Sequence, residues 1–133
     1  MKVKTDAELN RELSVLLGYE VIERKGQFYL FDPFSLVIAK SGVESLLWTE
    51  IPDYCNDETA AREVQKAAIA KDLLGYVLNL SIKTKAPKYF LDWDTSGLDG
   101  YFFNANAVAM MLTATPRQRA EAAYMVLKGD ERS

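Results

Sequence analysis

The stretch Asp92-Trp93-Asp94-Thr95-Ser96-Gly97-Leu98-Asp99-Gly100 is the sharpest chemical motif in the chain. Asp92, Asp94, Ser96 and Gly97 fall on the first, third, fifth and sixth positions of an EF-hand loop, where alternating oxygens surround a hard cation and a glycine makes the turn. The twelfth position is Phe103, which cannot replace the bidentate glutamate that such a loop needs. Asp92, Asp94 and Ser96 are therefore weak metal candidates, and no metal or cofactor is expected. Two aspartates this close could also divide acid and base roles in a hydrolase if their pKa values were split. The plainer reading is a solvated turn built from Asp, Ser and Gly.

Other reactive groups are few. There is no histidine, which removes the commonest general base near neutral pH and the imidazole metal ligands. The single cysteine, Cys55, cannot form an intramolecular disulfide or a structural zinc site. It precedes a helix N-terminus, a place that lowers a thiol pKa, but without a histidine partner it reads as a small buried residue. Arg117 and Arg119 stand in the first turn of the last helix, where free N–H groups also favour anions, so they are candidates for binding a nucleotide-like ligand. Lys83, Lys85 and Lys88 beside Tyr89 and Trp93 have the basic-plus-aromatic character of single-strand binders. A net charge of −3 disfavours nucleic acid as a partner. An enzyme is not expected.

The elements that must hold these residues follow from periodicity and capping. Thr5 and Glu8 have capping-box spacing, Leu9, Leu13, Leu16 and Leu17 form one apolar stripe, and Gly18 suits a C-terminal cap, so a helix is expected over 6–17. Tyr19–Glu23 and Gln27–Phe31 read as a hairpin around Arg24-Lys25-Gly26. Asp32-Pro33 ends it, and Leu36-Val37-Ile38-Ala39 reads as a third strand stopped by Lys40-Ser41-Gly42. Val43–Trp48 fits no single template.

Asn56 or Asp57 caps a second helix that carries Val64, Ala67, Ala68, Leu74, Val77 and Leu78 as its apolar stripe and runs to about residue 79. Gly75 and Val77 allow a break, with an alternative strand over Tyr76–Ile82. Tyr89–Trp93 and Gly100–Phe103 read as a second hairpin, and Ala105–Leu112 as a strand or a short helix. Thr115 and Pro116 start the last helix, which buries Ala120, Ala123, Tyr124 and Leu127 and stops at Gly129. Residues 129–133 read as a frayed tail.

Helices interleaved with hairpins imply an α+β fold: a mainly antiparallel sheet with helices packed on its faces, an α/β/α-like sandwich. A chain of 133 residues suffices for one such domain over 1–133. No apolar run reaches the ~18–20 residues that span a bilayer, and the N-terminus lacks an apolar signal core, so no membrane role is expected.

The segment Ile51-Pro52-Asp53-Tyr54-Cys55-Asn56-Asp57 running into Glu58-Thr59-Ala60-Ala61-Arg62-Glu63-Val64, followed later by Thr113-Ala114-Thr115-Pro116 opening Arg117-Gln118-Arg119-Ala120-Glu121-Ala122-Ala123-Tyr124, resembles the bacteriophage ABA sandwich domain family. The resemblance covers roughly the last 85 residues well and the N-terminal part loosely. It implies an α+β sandwich and no particular biochemistry. Against the family's compact members the chain looks expanded between Lys71 and Lys88 and in the acidic loop, places where specialised function can sit.

Within that setting the expectation is a small, non-catalytic phage protein that binds a host protein in the cytoplasm of the infected bacterium, for host takeover or counter-defence. Aromatics in excess of the core mark a contact surface. Trp93, Tyr101 and Phe103, with Asp94, Gly97 and Asp99 of the loop between them, are the expected partner-binding residues. The alternatives are an oligomer sequestering a nucleotide-like signal through Arg117 and Arg119, and a carboxylate- or metal-dependent hydrolase. A homodimer is compatible with both binding readings.

Overall fold

The structure, a computed structural model, describes residues 3–84, 91–93, 101–103 and 105–129. Helix α1 (Asp6–Leu17) begins with the capping box anticipated at Thr5 and Glu8, both bonds being present. It ends in a left-handed Gly18, whose φ of 110° suits glycine. The Gly18 amide donates to the Val15 carbonyl and that of Tyr19 to Ser14, so Tyr19 closes the helix end and does not open the strand. Strand β1 is therefore Glu20–Arg24, one residue later than expected.

A tight turn at Lys25 and Gly26, both at positive φ, leads into β2 (Gln27–Phe31). The Asp32 carboxylate then accepts the amides of Phe34 and Leu36, holding Leu36 in the turn. Strand β3 consequently starts at Val37 and runs to Ser41. The three strands form an antiparallel sheet in the order β1-β2-β3, with a bulge at Leu30/Phe31. The ambiguous stretch after it contains a single helical turn, α2 (Glu44–Leu47). This turn packs on β2 and β3, where Leu30 and Leu47 are fully buried.

Asp57 accepts the Thr59 amide at 3.0 Å and caps α3 (Glu58–Lys83). Beyond it, β4 (Leu91–Trp93) pairs antiparallel with β5 (Tyr101–Phe103). The strip 105–112 is a helix, α4 (Ala105–Leu112). Thr115 and Gln118 form a second capping box and Pro116 occupies the first turn of α5 (Pro116–Leu127), as its sequence implies. Gly129 follows at φ 93°.

The fold is α+β, an antiparallel sheet with helices packed against it. Its continuous core lies between α1, the 54–55 turn, α3 and α5. Helices α3 and α5 meet through small residues: Ala60, Ala61 and Ala68 on one side, Ala120, Ala122 and Ala123 on the other, all buried. Side chains this short let two backbones approach closely, and Leu9, Leu13 and Val64 fill what remains. Among the residues whose burial is described, the buried aromatics are the tyrosines Tyr54, Tyr76 and Tyr124, whereas Phe34 stands out on the surface.

Candidate functional site at the bend of the long helix

Residues 76–82 are helical, so the long-helix reading of α3 holds and the alternative strand over Tyr76–Ile82 is not found, because the chain breaks at Asp72 and then resumes as helix. The helix runs past residue 79, but Asp72 has extended backbone angles (φ −161°, ψ 90°) and divides it into two limbs. The Asp72 carboxylate accepts the Gly75 amide at 2.9 Å, as a cap residue does at a helix start. A β-carbon on Gly75 would run into the Asp72 carboxylate, so a larger residue there would have to displace the group that forms this cap. The bend also accounts for a bond that a straight helix forbids. Tyr76 Oη donates to Gln65 Oε1 at 2.6 Å, although the two residues are 11 apart, about 16 Å along a helix axis and more than their side chains span.

Turning the second limb changes which residues it buries. Leu74 and Leu78 were expected on the buried stripe; they are 47% and 37% exposed. Gly75, Tyr76, Leu80 and Ser81 face the core in their place. The stripe fails at Asp72 because a non-helical residue resets the angular phase of everything after it. Leu73 and Ile82, at 58% and 70%, complete an uncovered aliphatic face with Leu74 and Leu78.

Beneath the bend lies a groove of about 320 Å³. Ile69 of the first limb, Val77 and Leu80 of the second, and Met111 and Leu112 of α4 form its walls. Its polar end is a partly buried cluster: Gln65 Oε1 accepts from both Tyr76 Oη and Arg119 Nη1, the latter at 2.7 Å. Arg119 also donates to the carbonyls of Leu112 and Ala114, closing the α4–α5 turn. Burial pushes the Tyr76 hydroxyl up to about 12, against the opposing charge of Arg119.

Arg117 points to the other side of α5 and joins three elements. Its Nη1 donates to Asp6 at 2.6 Å, and its Nη2 to the Lys4 carbonyl at 2.8 Å and to Glu121 at 3.1 Å. Asn56 bonds the second Asp6 oxygen, and Asn10 holds both Asp53 and the Cys55 amide. Tyr54 is buried against Ser14 of α1. The Pro52-Asp53-Tyr54 turn and the start of α5 thus fasten α1 to the rest of the fold.

Cys55 sits under this cluster, buried as expected. Burial first, and the Asp6 carboxylate second, push its thiol up to about 11 from an ordinary 9.0, and Arg117 opposes them only partly. Only the thiolate attacks an electrophile, so at about pH 8 this shift alone lowers reactivity ~100-fold. Iodoacetamide should therefore label Cys55 at least ~100-fold more slowly in native buffer than in concentrated urea. Equal rates would place the thiol at the surface.

The residues expected from sequence to bind a partner fall in different places. Trp93 pairs with Tyr101 and Leu91 with Phe103 across β4–β5, so these three aromatics do share a two-stranded ladder. Asp92 pairs with Phe102. Asp94, Ser96, Gly97 and Asp99 lie outside the described residues, as do Lys85, Lys88 and Tyr89. Among the described residues no three acidic or thiol side chains converge as a metal site would require. Arg117 and Arg119 occupy opposite sides of α5, each bonded to protein acceptors, and do not form one anion site. Sequence reading missed the uncovered face of the second limb and the groove; the available signal was Asp72 three residues before Gly75, the spacing of a helix cap.

No family model, no curated protein and no solved structure matches this chain. No described helix is long and apolar enough to cross a membrane.

Proposed function

We propose that the protein is a phage-encoded, non-catalytic binding protein that occupies a host protein in the cytoplasm of the infected bacterium. The observation that supports this best is the aliphatic face of the second limb of α3. Leu74, Leu78 and Ile82 recur every four residues with Leu73 beside them, the spacing with which a helix anchors itself in a partner's groove. Leaving these side chains 37–70% exposed forgoes part of the ~1.5–3 kcal/mol that full burial of each would contribute, a cost that association recovers. The limb lies within the Lys71–Lys88 stretch in which the chain is expanded relative to the phage family it resembles, and that resemblance alone carries the phage setting. Trp93, Tyr101 and Phe103 follow it in the chain as the second part of the contact surface. The nucleotide-sequestering alternative takes second place, since it needs the guanidinium groups of Arg117 and Arg119 together.

Affinity capture from a bacterial lysate tests the reading when wild type is run beside a Leu74→Glu/Leu78→Glu double variant. One host protein held stoichiometrically by wild type and released by the variant supports it. A partner held equally by both, or none held by either, removes the helix face from the account.

A further inference from the structure

The groove under the bend has its own chemistry, separate from the exposed helix face. Among the described residues Arg119 is the only cation lining it, and its side chain is 13% exposed. A guanidinium withdrawn this far from water needs compensation by charge as well as by hydrogen bonds. Its hydrogen bonds are to neutral groups: the Gln65 amide oxygen and two backbone carbonyls. Its nearest carboxylate, Glu58, stands 3.9 Å from Nε, outside hydrogen-bond range, and is itself half exposed. Of five N–H donors on the guanidinium, three have these acceptors, leaving one on each terminal nitrogen. Gln65 adds to the same polarity. Its oxygen accepts from both Tyr76 and Arg119, which leaves the amide nitrogen to donate.

The polar end of the groove is thus donor-rich and short of negative charge, while Ile69, Val77, Leu80, Met111 and Leu112 make the rest aliphatic. We propose that this groove binds a small monocarboxylate with an aliphatic tail, the carboxylate on Arg119 and Gln65 and the tail between the two limbs of α3 and α4. A planar carboxylate matches the fork of a guanidinium. A single guanidinium, part of whose charge is already met by the half-exposed Glu58, supplies at most one positive charge, which favours a monoanion over a phosphate dianion. A volume of about 320 Å³ is at the small end of ligand pockets, ~300–1,000 Å³, which sets the tail at a medium chain length.

Methyl-resolved NMR titration of the whole protein with sodium octanoate, and separately with octan-1-ol, tests this. Octanoate should bind saturably below its micelle concentration and shift the methyl signals of Ile69, Val77 and Met111. Octanol, which has the tail without the charge, should bind at least ~10-fold more weakly, a difference worth one charge-assisted hydrogen bond. Arg119→Gln should erase the preference for the acid. Because Arg119 also holds the α4–α5 turn, Val77→Trp provides a second variant that fills the groove and leaves the cation in place. With an unchanged thermal melt it should bind neither ligand. Equal affinity for acid and alcohol, shifts centred elsewhere, no binding in the millimolar range, or octanoate binding retained by folded Val77→Trp each overturn the proposal.

Discussion

Leu80→Ala should cost about 2–5 kcal/mol of stability, whereas Leu78→Ala, two residues earlier on the same helix, should cost less than about 1 kcal/mol. Leu80 is 5% exposed and belongs to the main core; Leu78 is 37% exposed and lies on the uncovered face. Truncating the first leaves a cavity among α3 and α5 side chains that can relax only in part, and truncating the second leaves nothing to fill. Urea unfolding of the two variants measures the difference as a shift in midpoint at constant slope. The contrast is diagnostic of the bend. A straight α3 continuing the Val64, Ala67, Ala68 stripe would bury Leu74 and Leu78, so a cost for Leu78→Ala equal to or above that for Leu80→Ala would mean that Asp72 does not divide the helix.

How far the fold was legible depends on where the information is stored. The ends of α1 and α5 are written in local side chains: Thr5 with Glu8, Gly18, Thr115 with Gln118, and Pro116. Each acts on backbone groups within four residues, so spacing alone identifies it. The first hairpin was legible for the same reason, and its one-residue shift arose where Tyr19 was drawn into the end of α1. The bend in α3 was not legible as a bend. Asp72 and Gly75 read equally well as ordinary helix positions, and what decides between them is tertiary: Tyr76 and Leu80 reach the core only if the second limb turns. The candidate site inherits that limit, since the groove, the bond from Tyr76 to Gln65, and the aliphatic face all exist only once the limb has turned. The second hairpin was legible from sequence, as the pairing of β4 with β5 shows, but which part of the chain leaves apolar surface uncovered was not.

Arg117→Met is the second substitution expected to act strongly, at about 1.5–3 kcal/mol. Methionine keeps the apolar stem and removes the donors that hold Asp6, Glu121 and the Lys4 carbonyl. Asp6 and Glu121 remain partly hydrated, which places the loss below that of a fully buried broken pair. The pH dependence has a definite sign. Asn56 first, and Arg117 second, hold the Asp6 carboxyl below its ordinary 3.8. That contribution is present above the ordinary value and is lost as pH falls through the lowered one. The gap between wild type and variant should therefore be constant at neutral pH and narrow below about pH 4. A gap that is small and independent of pH would show that α1 is held by its apolar stripe, Leu9 and Leu13, and not by the arginine.

The measurement that bears most directly on the central claim is the affinity of the captured host protein, once purified, for three forms of this chain. These are wild type, Leu74→Glu/Leu78→Glu on the outer face of the bent helix, and Phe34→Glu at an equally apolar but distant point beside the sheet. If the uncovered limb is the contact surface, the double variant weakens binding at least ~30-fold, the loss of a central anchor, and Phe34→Glu leaves it unchanged. If Phe34→Glu abolishes binding and the double variant does not, the partner sits on the sheet and the bend serves the fold alone.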